Sequence, residues 1–264
     1  MYAFDIARPT TIADAAEALK AEGAQALGGG QTLIPSLKQR LAAPETLVSL
    51  GAIAEIKGVC TDDDGRICIG GGTTHGEIVT ETKSSFPALS GLAARIGDPA
   101  VRNRGTIGGS LANNDPSACY PAAVMATGAT IITDRREIAA DDYFQGMFTT
   151  ALEDGEIVTE VRFPVPAAAD YQKFAQPASR FPLVGVFVAR LDDRVGVGVT
   201  GASENGVFRW TEAEEALAGN FSATALEGLT VSAEGMIGDL HGSPEYRAHL
   251  IKVMTKRAVA AAGG

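Results

Sequence analysis

Three short stretches of this chain are almost bare backbone: "LGGGQT" at 27–32, "IGGGTT" at 69–74 and "RGTIGGS" at 104–110. Glycine has no Cβ, so a glycine-rich turn can take backbone angles closed to other residues and can be approached closely by a ligand or another strand. Successive amides in such a turn form a concavity suited to an anion. One turn of this kind is ordinary loop punctuation. Three on one chain, each with Ser or Thr beside it, call for a fold that gathers them around a shared purpose.

The intervening pattern is mixed. "FDIARP" reads as a short strand. "TTIADAAEALKAEGA" reads as a helix capped by Thr11, with Ile12, Ala15, Ala16 and Leu19 on one face and Gly23 ending it. The first glycine turn joins a strand to a short helical segment. "IKGVCTDDDGRICIGGG" is a hairpin turning at Asp64-Gly65, and it places Cys60 and Cys68 on opposite arms as a structural pair of thiols, with a redox disulfide as the alternative. "FPALSGLAARIGDP" is helical up to Gly97. "SACYPAAVMATGATIIT" is a helix leading into a strand, and "EIVTEVRFPVP" is a strand closed by two prolines. "PVPAAAD" (164–170) is the best domain boundary. Beyond it, "LVGVFVARLDDRVGVGVTGAS" reads as two strands joined at Asp192-Asp193. "TEAEEALAG" is a helix, and the last helix starts at Ser243-Pro244 with Tyr246, Leu250, Val253, Met254 and Arg257 at helical spacing. A chain of 264 residues, 45% hydrophobic and 20% charged, can build two domains or one large one, of mixed α/β or α+β type.

Several functional classes fall away. A net charge of −10 offers no basic stripe for nucleic acid. No apolar run reaches the ~18 residues of a membrane span, and the N-terminus lacks the layout of a signal peptide. Cytoplasmic residence is the expectation. The three cysteines, Cys60, Cys68 and Cys119, have neither zinc-finger nor iron–sulfur spacing. No Walker loop is present, and the Rossmann fingerprint fails because Leu33 stands where its third glycine belongs. Nor is there a Ser/His/Asp or Cys/His set suited to hydrolysis. What remains is a phosphate held by turns rather than by a P-loop lysine.

"LGGGQTLIPSLK" and "VRNRGTIGGSLANNDPSACYPAAVMA" together resemble the two flavin loops of the FAD-binding medium subunits of molybdenum hydroxylases, the carbon monoxide dehydrogenase and xanthine dehydrogenase type. The resemblance extends over essentially the whole chain. It implies an FAD-binding domain of the vanillyl-alcohol-oxidase type over 1–166, in two α+β lobes (about 1–55 and 56–166). It further implies a smaller C-terminal α+β domain over 167–264 with a three-stranded sheet. It implies an oxidoreductase subunit that accepts electrons from the [2Fe–2S] clusters of a small partner subunit and passes them to an external acceptor. A large molybdopterin subunit oxidises the substrate, and the whole is a dimer of heterotrimers. No catalytic acid or base is demanded of this chain, because the redox chemistry is the flavin's own.

Carried over residue by residue, Leu27, Gly28, Gly29, Gly30, Gln31 and Thr32 would wrap the FAD diphosphate. Gly105, Thr106, Ile107, Gly108, Gly109 and Ser110 would meet it from the other side. Thr73 and Thr74 would sit near the flavin or adenine, with capping of the helix at His75 as the alternative role. Ile96 and Val101 would border the ring system, Val158 the adenine or dimethylbenzene end, and Lys173 would reach the flavin from the C-terminal domain, unless it is a solvated surface lysine. Cys119 stands where the family commonly has an Asp that bonds the flavin side chain. Asp115 is a candidate to compensate, with an Asx-turn before Pro116 as its other role. "FPLVGV" after Arg180 departs from an acidic residue common in relatives. Gln31 occupies a place where related flavoproteins can carry a His bonded to the flavin. An amide cannot be that nucleophile, so the FAD is expected to be noncovalent. His75 is expected to stabilise its turn or face solvent. Two other readings stay open on the residues alone: a stand-alone flavin oxidase or reductase, and a noncatalytic nucleotide-binding scaffold domain.

Overall fold

A computed structural model describes residues 1–264. The chain lays down three sheets in succession. The first is small and wholly parallel. β1 (Asp5–Ala7), α1 (Ile12–Ala18), β2 (Ala24–Leu27), α2 (Leu33–Lys38) and β3 (Thr46–Ser49) form it, in the strand order β1-β3-β2. α1 begins where expected: the Thr11 hydroxyl accepts from the Asp14 amide at 3.1 Å. Two short 3₁₀ turns (Leu50–Ala52 and Ala54–Ile56) lead out of this lobe.

The second sheet is antiparallel, with order β4-β5-β8-β6-β7. β4 (Val59–Thr61) and β5 (Ile67–Gly70) form the hairpin predicted at Asp64-Gly65, pinned by the Asp62 carboxylate, which accepts from the amides of Asp64 and Arg66. Five helices follow: α3 (His75–Glu81), α4 (Pro87–Ala94), α5 (Pro99–Arg102), α6 (Ile107–Asn113) and α7 (Tyr120–Thr127). β6 (Thr130–Thr133), β7 (Glu137–Ala139), α8 (Ala140–Tyr143) and β8 (Val158–Phe163) complete the lobe.

The third sheet is also antiparallel: β9 (Ala168–Ala175), β10 (Pro182–Arg190), β11 (Val195–Ser203) and β12 (Gly206–Arg209), in the order β12-β11-β10-β9. The three long strands match the sheet expected for this region. The four-residue β12, preceding α9 (Thr211–Gly219), adds a fourth that had no sequence cue beyond a turn at Glu204-Asn205. α10 (Pro244–Ala261) is the last helix.

The "VGVGV" of β11 explains how this third sheet is packed. Val195, Val197 and Val199 point to one side, into a core shared with α9 and α10. Gly196 and Gly198 point to the other, where α7 lies so close that a Cβ at Gly198 would overlap the Ala122 carbonyl. Successive strand residues alternate faces, so a Val/Gly alternation lets the sheet take side chains on one face and a helix backbone on the other. Tyr171, Phe187 and Ala189 also bury into the middle core with α4 and α7. The C-terminal sheet therefore closes the core of the second lobe as well as its own.

α10 buries Arg247, Ala248, Leu250, Ile251, Met254, Thr255, Ala258 and Val259. Of the residues read at helical spacing, Tyr246 and Arg257 are exposed. Arg247 lies on the buried stripe although its residue type suggests a surface position. Its guanidinium instead donates to the carbonyls of Leu183 (2.8 Å) and Gly201 (2.7 Å) and to Asp239 (2.7 Å), so a buried cation is paired.

Candidate functional site

All three glycine turns converge. Gly28–Thr32, Gly71–Gly72, Gly105–Thr106 and Gly108–Ser110 line a single cleft of about 720 Å³, which also reaches Ile96, Val158 and Lys173. That volume lies within the range of about 300–1,000 Å³ typical of ligand clefts.

The turns differ in what they do there. In the second and third turns the amides are committed to the protein. Gly71 donates to Thr159, Gly72 to Ile56, Gly105 to Val101, Ile107 to Thr73, Gly108 to Gly71, and Ser110 to Thr106. The Gly109 amide donates to the Thr106 hydroxyl, which caps α6. Among 105–110 only the Thr106 amide has no protein acceptor. The expectation that this whole segment turns its amides on a phosphate is therefore corrected. Its glycines are needed for backbone-on-backbone packing: a Cβ on Gly108 would stand 2.6 Å from the Gly71 carbonyl oxygen.

The first turn is the opposite case. No group of the protein accepts from the amides of Gly28, Gly29, Gly30, Gln31 or Thr32. Gly30 takes a positive φ of 71°, and Gly29 lies so close to the third turn that a Cβ would overlap the Arg104 carbonyl. Five consecutive residues on the cleft wall thus have amides with no acceptor in the protein. A ligand that covers them must bring acceptors, because each buried amide left unpaired costs about 1–3 kcal/mol. Oxygens of a diphosphate meet that demand.

Most residues assigned from sequence lie on the cleft wall: Leu27 to Thr32, Thr74, Ile96, Val101, Gly105, Thr106, Gly108 to Ser110, Asp115, Cys119, Val158 and Lys173. Two do not. The Thr73 side chain is fully buried, and its hydroxyl exchanges hydrogen bonds with the backbone of Gly58 (2.9 and 3.1 Å). Ile107 is fully buried in the middle core. Both point away because the turns alternate faces where they pair, Thr74 bridging Thr106. Thr74 reaches the wall while forming a complete capping box with Glu77 at the start of α3. Asp115 does make the Asx-turn, accepting from the Ser117 amide at 2.8 Å, while also lining the cleft.

His75 turns out to be a hidden strut. It is 5% exposed, its amide donates to the Gly105 carbonyl at 2.9 Å, and its Nδ1 lies 3.2 Å from the Tyr120 hydroxyl. Burial, helped by the positive charge of Arg102, lowers its pKa to about 4, so it is neutral at pH 7. Of its two expected roles, stabilising the turn is the one seen. Lys173, half-buried on β9, donates to the Arg95 carbonyl (2.9 Å) and lies 3.5 Å from the Cys119 sulfur. It is thus held at the cleft rather than solvated freely. Gln31 folds back to donate to the Gly29 carbonyl at 3.0 Å.

Glu156 was missed by sequence reasoning, although it lines the cleft next to Val158. Its side chain is out of solvent. Burial alone would raise its pKa. Hydrogen bonds from Arg136, the Glu153 amide and the Thr133 hydroxyl outweigh that and hold it at about 2. Arg180 and Phe181 were noted only for the missing acidic residue, yet they also line the cleft. Arg180 has a positive φ of 62° and donates to the Gly97 carbonyl at 3.3 Å. The only cue in the sequence was the Pro-Ala-Ser turn before it.

A two-lobed α+β chain whose glycine turns frame one amide-lined cleft has the architecture of a protein that holds a phosphate-bearing ligand. The family profile described as "FAD binding domain in molybdopterin dehydrogenase" matches residues 2–166. The carbon monoxide dehydrogenase medium chain of Afipia carboxidovorans is 33% identical over 97% of this chain and 95% of its own length. The nicotine 6-hydroxylase medium subunit of Paenarthrobacter nicotinovorans is 31% identical over 97% and 96%. Among solved structures, a chain of the reconstituted CO dehydrogenase from Oligotropha carboxidovorans superposes with a TM-score of 0.89 at 32% identity, covering 99% of this chain and 98% of that one. The chain belongs to the FAD-binding medium subunits of the molybdenum hydroxylase family and is an oxidoreductase subunit.

Proposed function

We propose that this chain binds FAD noncovalently in the cleft, receives electrons from the [2Fe–2S] clusters of a small partner subunit, and delivers them to an external acceptor. The observation that carries the reading is the run of five amides from Gly28 to Thr32 with no acceptor in the protein, on the wall of a cleft of about 720 Å³. In this reading those amides hold the diphosphate, with the Thr106 amide opposite. Ile96, Val101 and Val158 pack the planar rings, and Lys173, anchored on the Arg95 carbonyl, supplies a positive charge beside them. FAD, when bound, supplies the electron-carrying chemistry. The protein supplies grip, orientation and exclusion of water. Residues 1–166 form the cofactor domain, and 167–264 form the C-terminal domain that closes over it.

The molybdenum cofactor and the iron–sulfur clusters reside on partner subunits, in a dimer of heterotrimers located in the cytoplasm. Relatives whose names call them medium chains or medium subunits support a place for this chain beside other subunits. Substrate choice lies with the large subunit.

The test has two arms. Apoprotein titrated with FAD should bind one equivalent, with Gly28–Thr32 protected in amide hydrogen exchange. Material purified from its native host should carry molybdenum and iron along with flavin. A lone flavoprotein that turns over substrate by itself would replace this reading with a self-contained oxidase. Failure to bind FAD would remove both.

A further inference from the structure

The hairpin thiols have a third companion. Cys60 and Cys68 are direct cross-strand partners on β4 and β5. Cys68 is in turn opposite Arg162 on β8, and Glu160 lies two residues before Arg162, hence on the same face of the sheet. Ile67, Ile69, Val161 and Phe163 take the other face, into the core. The Cys60 sulfur, the Cys68 sulfur and a Glu160 carboxylate oxygen all lie within 4.8 Å of one another. Neither the cofactor cleft nor the electron-transfer reading uses any of the three.

We propose that Cys60, Cys68 and Glu160 form a zinc(II) site, with water as the fourth ligand. In a tetrahedral site with Zn–S near 2.3 Å and Zn–O near 2.0–2.2 Å, donor atoms stand about 3.5–3.8 Å apart. The three groups need to close by only about 1 Å, within reach of side-chain rotation. Two sulfurs and one carboxylate suit zinc. Magnesium and calcium want oxygen alone, and copper(I) would leave the carboxylate out. On binding, each thiol forms a Zn–S bond and releases its proton to solvent. Nothing is oxidised or reduced.

The surroundings favour a cation. Arg162 is near, donating to Glu160 at 2.6 Å and to Glu137 at 3.0 Å, and Arg66 pairs with Asp62 and Asp64. These four carboxylates outnumber the two guanidiniums even before the thiols ionise. Arg162 holds one Glu160 oxygen, Oε1, which leaves Oε2 to a metal. Cys60 is exposed, giving the ion a path in and room for its water, whereas Cys68 is 3% exposed and anchors the site. The consequence is local. β4 is a three-residue edge strand paired only to β5. An ion clasping β4, β5 and β8 fastens this edge next to Gly70 and Gly71, where β5 runs into the cleft wall.

The test is zinc loading of the full-length protein, purified under reducing conditions, followed by passage over a weak chelator, metal analysis and zinc-edge X-ray absorption. About one zinc per chain should be retained, with two sulfur scatterers near 2.3 Å. Cys60→Ser should abolish retention. Glu160→Gln should weaken it while leaving two sulfurs, and Cys119→Ser should not affect it. Cys60 is exposed, so its variant is expected to fold, and circular dichroism checks that. Glu160→Gln is an independent second variant. Zinc retained in Cys60→Ser, a first shell without sulfur, or a Cys60–Cys68 disulfide in freshly isolated protein would overturn the proposal. None of these outcomes bears on flavin binding.

Discussion

Replacing Gly29 by alanine tests how the cleft is assembled. A Cβ there would overlap the Arg104 carbonyl oxygen and stand 2.6 Å from both the Arg104 carbonyl carbon and the Gly105 Cα. All three are backbone atoms, so no side chain can swing aside. The first and third turns must separate by roughly 1–1.5 Å to restore ordinary contact, and overpacking of this kind costs about 1–3 kcal/mol. Where that cost falls is decided by the hydrogen bonds. Nothing in the protein accepts from the amides of residues 28–32, so in the cofactor-free chain the first turn can shift cheaply. FAD binding must bring the turns back together. The penalty therefore appears mainly in affinity, as a rise of about fivefold to 150-fold in the dissociation constant. Titration of apoprotein into FAD, followed by loss of free-FAD fluorescence, measures the ratio, and a thermal melt of the apoprotein measures the remainder. An FAD affinity within twofold of wild type would refute the reasoning, whatever the melting temperature.

His75 should make stability depend on pH. Its pKa is depressed in the folded state relative to the unfolded value near 6.5, so its contribution is full above pH 6.5 and is lost as pH falls towards 4. Urea unfolding at pH 7 and 4.5 should differ by about 2 kcal/mol more in wild type than in His75→Asn, whose amide can still meet Tyr120; equal slopes would contradict this. Glu156 acts in the same direction at lower pH: its stabilisation is present above about 4.5 and declines towards 2. Glu156→Gln should cost about 1–2 kcal/mol at pH 7, allowing for the solvent exposure of Arg136, and should flatten the acid limb of the melting curve. Gly91, exposed on α4 with open space where a Cβ would stand, is the contrary case. Gly91→Ala should stabilise by about 0.5–1 kcal/mol in denaturant unfolding without altering FAD binding.

Features that depend on near neighbours in the chain were legible in advance. Thr11 and Ser243 cap their helices as their local pattern indicates. The Asp64-Gly65 hairpin, the Asp192-Asp193 turn and the strand–glycine–helix unit at 24–38 follow from turn chemistry and periodicity over a few residues. The glycine turns marked the cleft, because an absent side chain is visible in sequence whatever the fold.

Which amides remain free was decided only in three dimensions. The turns at 28–32 and 105–110 look alike as strings. The second is stitched to Thr73 and Gly71, which also buries Thr73 and Ile107, whereas the first is left open. His75, Arg247 and Glu156 belong here too. Each is a polar residue whose burial is compensated by partners far away in the chain, such as Tyr120, Gly201 or Thr133. The same holds for Glu160, brought beside Cys60 and Cys68 by the register of β8 on β5. A hydrogen bond is satisfied or not according to what stands within 3 Å of it. For these groups that neighbour is set by strand register and loop closure, which no local stretch of sequence contains.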